Sequence, residues 1–166
     1  MKLIIKYLFV ISVVYFASSC APLRHATVNV SEDISNYKYF YLISSSEQTS
    51  STGVAFSSNY GAYGVASTKS VVPGEMIAGY LLKKGYIRLT EIDPDRTDKT
   101  MIVSYGESGQ RNVGLGTAIE VTIQFTSADY ERIIATTTAE GQGETEADDI
   151  RRAIQTALNG LFGKDR

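Results

Sequence analysis

A nine-residue stretch near the middle of the chain, TAIEVTIQF at 117–125, constrains the fold more than any other. Its apolar residues Ile119, Val121, Ile123 and Phe125 alternate with polar ones. Alternation with a period of two is typical of a strand that buries one face and exposes the other to water. One strand is not stable alone, so the chain must supply neighbouring strands and a layer that covers the apolar face.

Two amphipathic stretches predict helices at 73–84 and 145–162. Pro73 suits a first helical turn and Gly85 a left-handed helix end, while Thr145 and Asp148 approximate a capping box. Stretches rich in β-branched and aromatic residues predict further strands at 26–30, 36–43, 86–89, 100–107 and 132–141.

The order of these elements predicts an α+β fold. Three successive strands between 100 and 140 indicate an antiparallel meander, and two helices suffice to cover one face of the sheet. We therefore expect a single domain at 28–162, a two-layer sandwich of a mostly antiparallel sheet with two helices on one face.

Two polar stretches predict loops within this domain. Residues 44–72 are rich in serine and glycine and have no sustained period, which predicts a long loop. The glycine-rich stretch 108–116, which surrounds Arg111, predicts a flexible hairpin loop.

The first twenty residues have the organisation of a secretory signal. Lys2 and Lys6 precede an uncharged, mostly apolar run that ends in Ala17-Ser18-Ser19-Cys20. This ending is similar to a bacterial lipobox, in which the cysteine receives a diacylglycerol. We predict a lipoprotein signal peptide at 1–19 and a lipidated tether at 20–27, with Cys20, the only cysteine, as the lipid site. The alternatives are an ordinary secretory signal and an uncleaved anchor.

Three short motifs resemble a known family. DISNYKYF at 33–40, LLKKGY at 81–86 and a strand that ends in Tyr105 resemble small bacterial envelope lipoproteins grouped as domain of unknown function 4136. The resemblance spans about 28–162. It implies an envelope lipoprotein of α+β fold with no assigned reaction.

Charge and residue content point away from several functions. A net charge of −2 gives no electrostatic footprint for nucleic acid. His25, the only histidine, lies in the tether, which is a poor place for a rigid catalytic dyad. The acids at 140–149 are expected to stay in solvent and to favour the helix dipole. The sequence therefore predicts no catalytic residue, metal or cofactor.

These observations predict a non-catalytic binding or scaffolding module, anchored through Cys20 in the bacterial outer membrane and facing the periplasm. Candidate binding residues for an envelope protein or a glycan are Tyr60 and Tyr63, in the long loop, and Arg111. The alternative is a lipid-anchored hydrolase of cell-wall or glycan material that uses carboxylates. Its candidate acids are Glu120, Asp129 and Glu140.

Overall fold

The computed structural model describes residues 22–43, 72–114 and 116–163. Cys20, Tyr60 and Tyr63 lie outside these ranges. The elements of the described residues are β1 (Thr27–Val30), β2 (Tyr39–Leu42), α1 (Pro73–Lys83), β3 (Ile87–Leu89), β4 (Thr100–Val113), β5 (Gly116–Ser127), β6 (Ile133–Gly141) and α2 (Glu146–Phe162), with 3₁₀ turns at Ile34–Asn36 and Pro94–Lys99.

The described strands form one mixed sheet in the order β1-β6-β5-β4-β2-β3. The β1–β6, β6–β5 and β5–β4 pairs are antiparallel, whereas β2 is parallel to both β3 and β4. The parallel β2–β3 pair follows from α1, which carries the chain back across the sheet between these strands. This arrangement confirms the predicted α+β sandwich.

Both helices pack on the same face of the sheet. The alternating apolar residues of β5 point to this face, and each of them is at most 4% exposed. From α2, Ile154 and Leu158 pack into the same core and are 1% exposed. We call this the helix face and the opposite side of the sheet the open face.

The two layers approach closely where α2 crosses β6 at Gly141. A β-carbon at this position would collide with the carbonyl oxygen of Asp149 and the amide nitrogen of Ala153, both in the α2 backbone. Glycine therefore lets the helix backbone rest directly on the strand.

The predicted helix ends are confirmed. At the end of α1, the Tyr86 amide donates to the Leu81 carbonyl and the Gly85 amide to the Leu82 carbonyl, with Gly85 at a φ of 92°. These two bonds define a Schellman motif. At the start of α2, the amide of Asp148 donates to the Thr145 hydroxyl at 3.2 Å.

The predicted hairpin loop at 108–116 is wrong. Strand β4 continues to Val113, and only Gly114 and Leu115 separate it from β5. The polar and glycine residues of this stretch have low strand propensity, but the ladder with β5 satisfies their backbone groups and overrides that preference.

A β-bulge at Ser108 interrupts this ladder. Glu107 lies opposite Val121, whereas Gly109 lies opposite Glu120, so Ser108 is one extra residue in β4. Side chains beyond the bulge are therefore shifted to the other face. Without this extra residue Arg111 would point to the helix face; with it, Arg111 points to the open face.

We predict that Ile154→Asp, in a chain of residues 21–166, strongly destabilises the domain. It places an unpaired carboxylate in the seam between α2 and the sheet, and burial of such a group costs several kcal/mol. A domain of this size has only about 5–15 kcal/mol in total. Thermal melting should show a large drop or insolubility. Gln155→Asp, on the exposed side of α2, is the matched control, and equal melting temperatures would contradict the packing described above.

Candidate functional site: an ion-pair cluster that holds the N-terminal segment

A buried carboxylate on the open face organises the candidate site. Glu140, near the end of β6, has a side chain that is only 2% exposed. The prediction that the acids at 140–149 stay in solvent is therefore wrong for Glu140, and also for Asp149, which is 7% exposed. Glu140 belongs to the sheet rather than to the helix start, and Asp149 turns inward to accept a hydrogen bond from the Gly143 amide.

Arg111 binds Glu140 through two parallel hydrogen bonds. Its Nε donates to Oε1 and its Nη2 to Oε2, both at 2.6 Å. The two residues lie on β4 and β6, so the arginine spans the intervening strand, where the small residue Ala118 lies directly opposite it. Two-point binding of this kind is the strongest arginine–carboxylate geometry.

A second arginine and a second acid complete the cluster. Glu120 lies directly opposite Glu140 on β5, an arrangement of like charges that destabilises a sheet unless cations offset it. Arg24 supplies the second cation, with Nε 3.6 Å from Glu140 Oε1 and Nη1 3.8 Å from Glu120 Oε2. We call Arg24, Arg111, Glu120 and Glu140 the clamp, in which two positive charges balance two negative ones.

Hydroxyl groups extend the clamp along the open face. Ser108, the bulge residue, donates to Glu120 Oε1 at 2.8 Å, and Thr122 donates to Ser108 at 2.9 Å. Thr122 and Thr138 also share a hydrogen bond of 2.8 Å. The second acid is thus held from β4 as well as from the N-terminal segment.

The clamp also binds the backbone of the N-terminal segment. Nη2 of Arg111 donates to the carbonyl oxygen of Pro22, and the amide of Arg24 donates to Glu140 Oε2, each at 2.9 Å. Residues 22–24 are therefore fixed to the end of the sheet where β4 and β5 join. This segment was predicted to be part of a tether.

The electrostatics of the clamp keep Glu140 ionised. Hydrogen bonds from Arg111 are the largest of the effects that lower the pKa of Glu140 to about 2; the Arg24 amide and the charges of both arginines act in the same direction, and burial opposes them. The same contact raises the pKa of Arg111. Glu140 is consequently a fixed anion at neutral pH and cannot donate a proton.

The structure places the acids of the predicted hydrolase alternative in two separate locations. Of its three candidate acids, Glu120 and Glu140 are adjacent but are held by two arginines. Asp129 lies beyond the far end of β5, and that end is itself seven residues, or about 24 Å, past Glu120. Burial and the nearby Glu146 raise the pKa of Glu107, but this residue lies on the helix face and does not join the clamp.

The structure gives Arg111 an intramolecular role that the sequence did not indicate. It is half-buried in β4, and the prediction that it binds an external ligand would require it to exchange Glu140 and Pro22 for that ligand. Sequence reasoning missed Arg24 and the opposed pair of acids. The available signal was that Glu120 and Glu140 both occupy polar positions in alternating strands, which places them on one face.

Comparisons with known proteins include distant structural matches. No family model and no curated protein matches the chain. Two structures of the PelC dodecamer from Paraburkholderia phytofirmans are similar at 12% and 11% identity, with TM-scores of 0.47 and 0.43, and each match covers 84% of this chain and 99% of the other. A PDZ domain protein from Parabacteroides distasonis is similar at 12% identity with a TM-score of 0.48, over 87% of this chain and 36% of the other. Similarity at this level supports no statement about function.

Neither α1 nor α2, the two α-helices of the described residues, is long and apolar enough to cross a membrane.

We predict that Glu140→Gln changes how stability depends on pH. The pKa of Glu140 in the folded protein, about 2, is lower than its ordinary value of 4.5. The carboxylate thus contributes stability that is fully present above pH 4.5 and is lost as the pH falls toward 2. Urea unfolding at several pH values should show a shallower acid loss in Glu140→Gln, and a stability at pH 7 that is lower by about 1.5–3 kcal/mol, the contribution of one hydrogen bond to a charged group.

Glu144→Gln is the matched control, because this carboxylate is exposed. It should leave the acid limb of the wild-type profile unchanged. If Glu140→Gln and Glu144→Gln follow the same profile, Glu140 does not have the assigned role.

Proposed function

We propose that this chain is a membrane-anchored bacterial envelope lipoprotein whose domain is a non-catalytic binding or scaffolding module. The observation that carries the proposal is the sequence Ala17-Ser18-Ser19-Cys20, which follows an apolar run after Lys2 and Lys6. The structure adds that Pro22, two residues after the proposed lipid site, accepts a hydrogen bond from Arg111. Such a junction suits a domain held close to its anchor.

Lipid chemistry accounts for stable attachment. In this class of protein the cysteine sulfur carries a diacylglycerol, and cleavage exposes an amine that can be acylated as well. Each buried CH₂ contributes about 0.8 kcal/mol, so two or three chains anchor far more firmly than one. Ala21 gives no clear signal for retention in the inner membrane, and we place the protein in the outer membrane, facing the periplasm.

The open face supports the binding role. On the described residues it presents hydroxyl and amide side chains such as Thr122, Gln124 and Thr138, which are half-buried. On β2, next to the edge strand β3, it also carries Tyr39, whose ring lies beneath the guanidinium of Arg96 at 5.3 Å. A polar surface with an aromatic edge suits an envelope protein or a glycan.

We predict that Cys20→Ala leaves an unprocessed precursor. The variant lacks the sulfur that accepts the diacylglycerol, so cells fed labelled palmitate should show no label on the protein. Ser19→Ala, which keeps a small residue before the cysteine, should label as wild type does. A Cys20→Ala protein that labels as strongly as wild type contradicts the anchor.

We also predict that the open face contacts a partner in the native envelope. A photo-crosslinking side chain in place of Asn29, exposed on the open face of β1, should give adducts of discrete mass. The same side chain in place of Gln155, exposed on α2, is the control. Equal adduct yields at the two positions would contradict a binding role for the open face.

A further inference from the structure

The clamp fixes the position of the N-terminal segment, and this position carries information about membrane orientation. We infer that the domain stands on the bilayer with the β4–β5 turn and the start of α2 toward the lipid, and with the β5–β6 turn pointing away. The inference rests on the proposed lipid at Cys20 and extends it from attachment to orientation. The partner it assigns to this end of the domain is a lipid surface.

The chain between the anchor and the clamp is short. Consecutive Cα atoms are about 3.8 Å apart, so two residues separate Cys20 from Pro22 by at most about 7 Å. The carbonyl oxygen of Pro22 is bound to Arg111 at 2.9 Å. A lipid on Cys20 therefore cannot lie far from this end of the sheet.

Arg111 lies close to one end of the sheet. Arg111 lies opposite Ala118, and two pairs later Val113 lies opposite Gly116, where the β4–β5 ladder ends. Strand β6 also ends here, because Gly141 lies opposite Ile119, and α2 begins after it. The β4–β5 turn, the β6–α2 junction and the clamped segment thus share one end of the domain.

Strand β5 extends from this end of the domain to the opposite one. Ser127 lies nine residues beyond Ala118, or about 30 Å at 3.4 Å per residue. The turn that follows Ser127 carries Asp129 and Tyr130, which are exposed. This turn is therefore the distal end of a domain whose other end is bound to the anchor.

The charge of the proximal end indicates that the anchor and the clamp, rather than electrostatic attraction, set this orientation. The clamp itself is neutral; outside it, Glu144 and Glu146 are exposed near the start of α2, and Arg152 is exposed close to them. A net acidic end gains nothing from anionic lipid. Vesicles of neutral phosphatidylcholine therefore test the orientation without a competing effect of charge.

The experiment measures how close each end lies to the lipid. The full chain is expressed with its own signal, purified from membranes and reconstituted into phosphatidylcholine vesicles that contain a spin-labelled phospholipid quencher. Asn112→Cys, at the proximal end, and Asp129→Cys, in the distal turn, each carry a fluorophore. The lipidated Cys20 has no free thiol, so the label goes only to the introduced cysteine.

We expect several-fold stronger quenching at position 112 than at position 129. Equal quenching in a protein whose measured mass includes the lipid overturns the orientation and leaves the proposed anchor intact. A purified wild-type protein whose mass lacks the lipid overturns the proposed anchor itself.

A variant that leaves the fold untouched separates the clamp from other causes. Ten Gly/Ser residues inserted between Ala21 and Pro22 give the anchor a flexible reach of about 17 Å while every clamp residue stays in place. Quenching at the two positions should then become similar. A lengthened protein that keeps the full difference would overturn the role of the short, clamped connection.

Discussion

The packing of α2 across β5 and β6 is the contact on which the rest of the structure depends. Gly141 lets the helix backbone lie on β6. The buried hydroxyl of Thr137 donates to the Ala157 carbonyl at 2.9 Å, so both of these polar groups have a hydrogen-bond partner. At the far end of α2, Phe162 contacts Tyr80 and Phe125 and joins the two helices to the sheet. Because both helices cover the helix face, the alternate residues of β5 and β6 lie on the open face.

The clamp is a consequence of this alternation of side chains between the two faces. The residues that alternate with the core of β5 and β6 include two acids in direct opposition, and without cations this pair would weaken the sheet. Arg111 comes from the neighbouring strand and Arg24 from the N-terminal segment, so charge balance recruits a piece of chain that precedes the first strand. The side chain of Arg24 is largely exposed, and hydrogen bonds from its amide to Glu140 and from Arg111 to the Pro22 carbonyl make the segment part of the folded domain.

Much of the fold could be predicted because strong local signals agree with the tertiary structure. The alternation in β5, the amphipathic stripe of α2 and the cap residues Gly85 and Thr145 each specify an element without reference to the rest of the chain. The second half of β4 could not be predicted, because its glycines and polar residues acquire strand geometry only from pairing with β5. The candidate site was missed for the same reason: a residue assigned to a loop has no register, so nothing indicated that Arg111 faces Glu140.

The bulge at Ser108 makes strand length itself a determinant of the clamp. In most hairpins a residue gained or lost near the turn changes only the loop, and homologous proteins accumulate such changes freely. Here the loss of one residue between Glu107 and Gly109 would move the side chains of the rest of β4 to the opposite face of the sheet. Arg111 would then lie on the helix face. A change of length in this arm of the hairpin would therefore disrupt the clamp, although the arm is rich in glycine and mostly exposed.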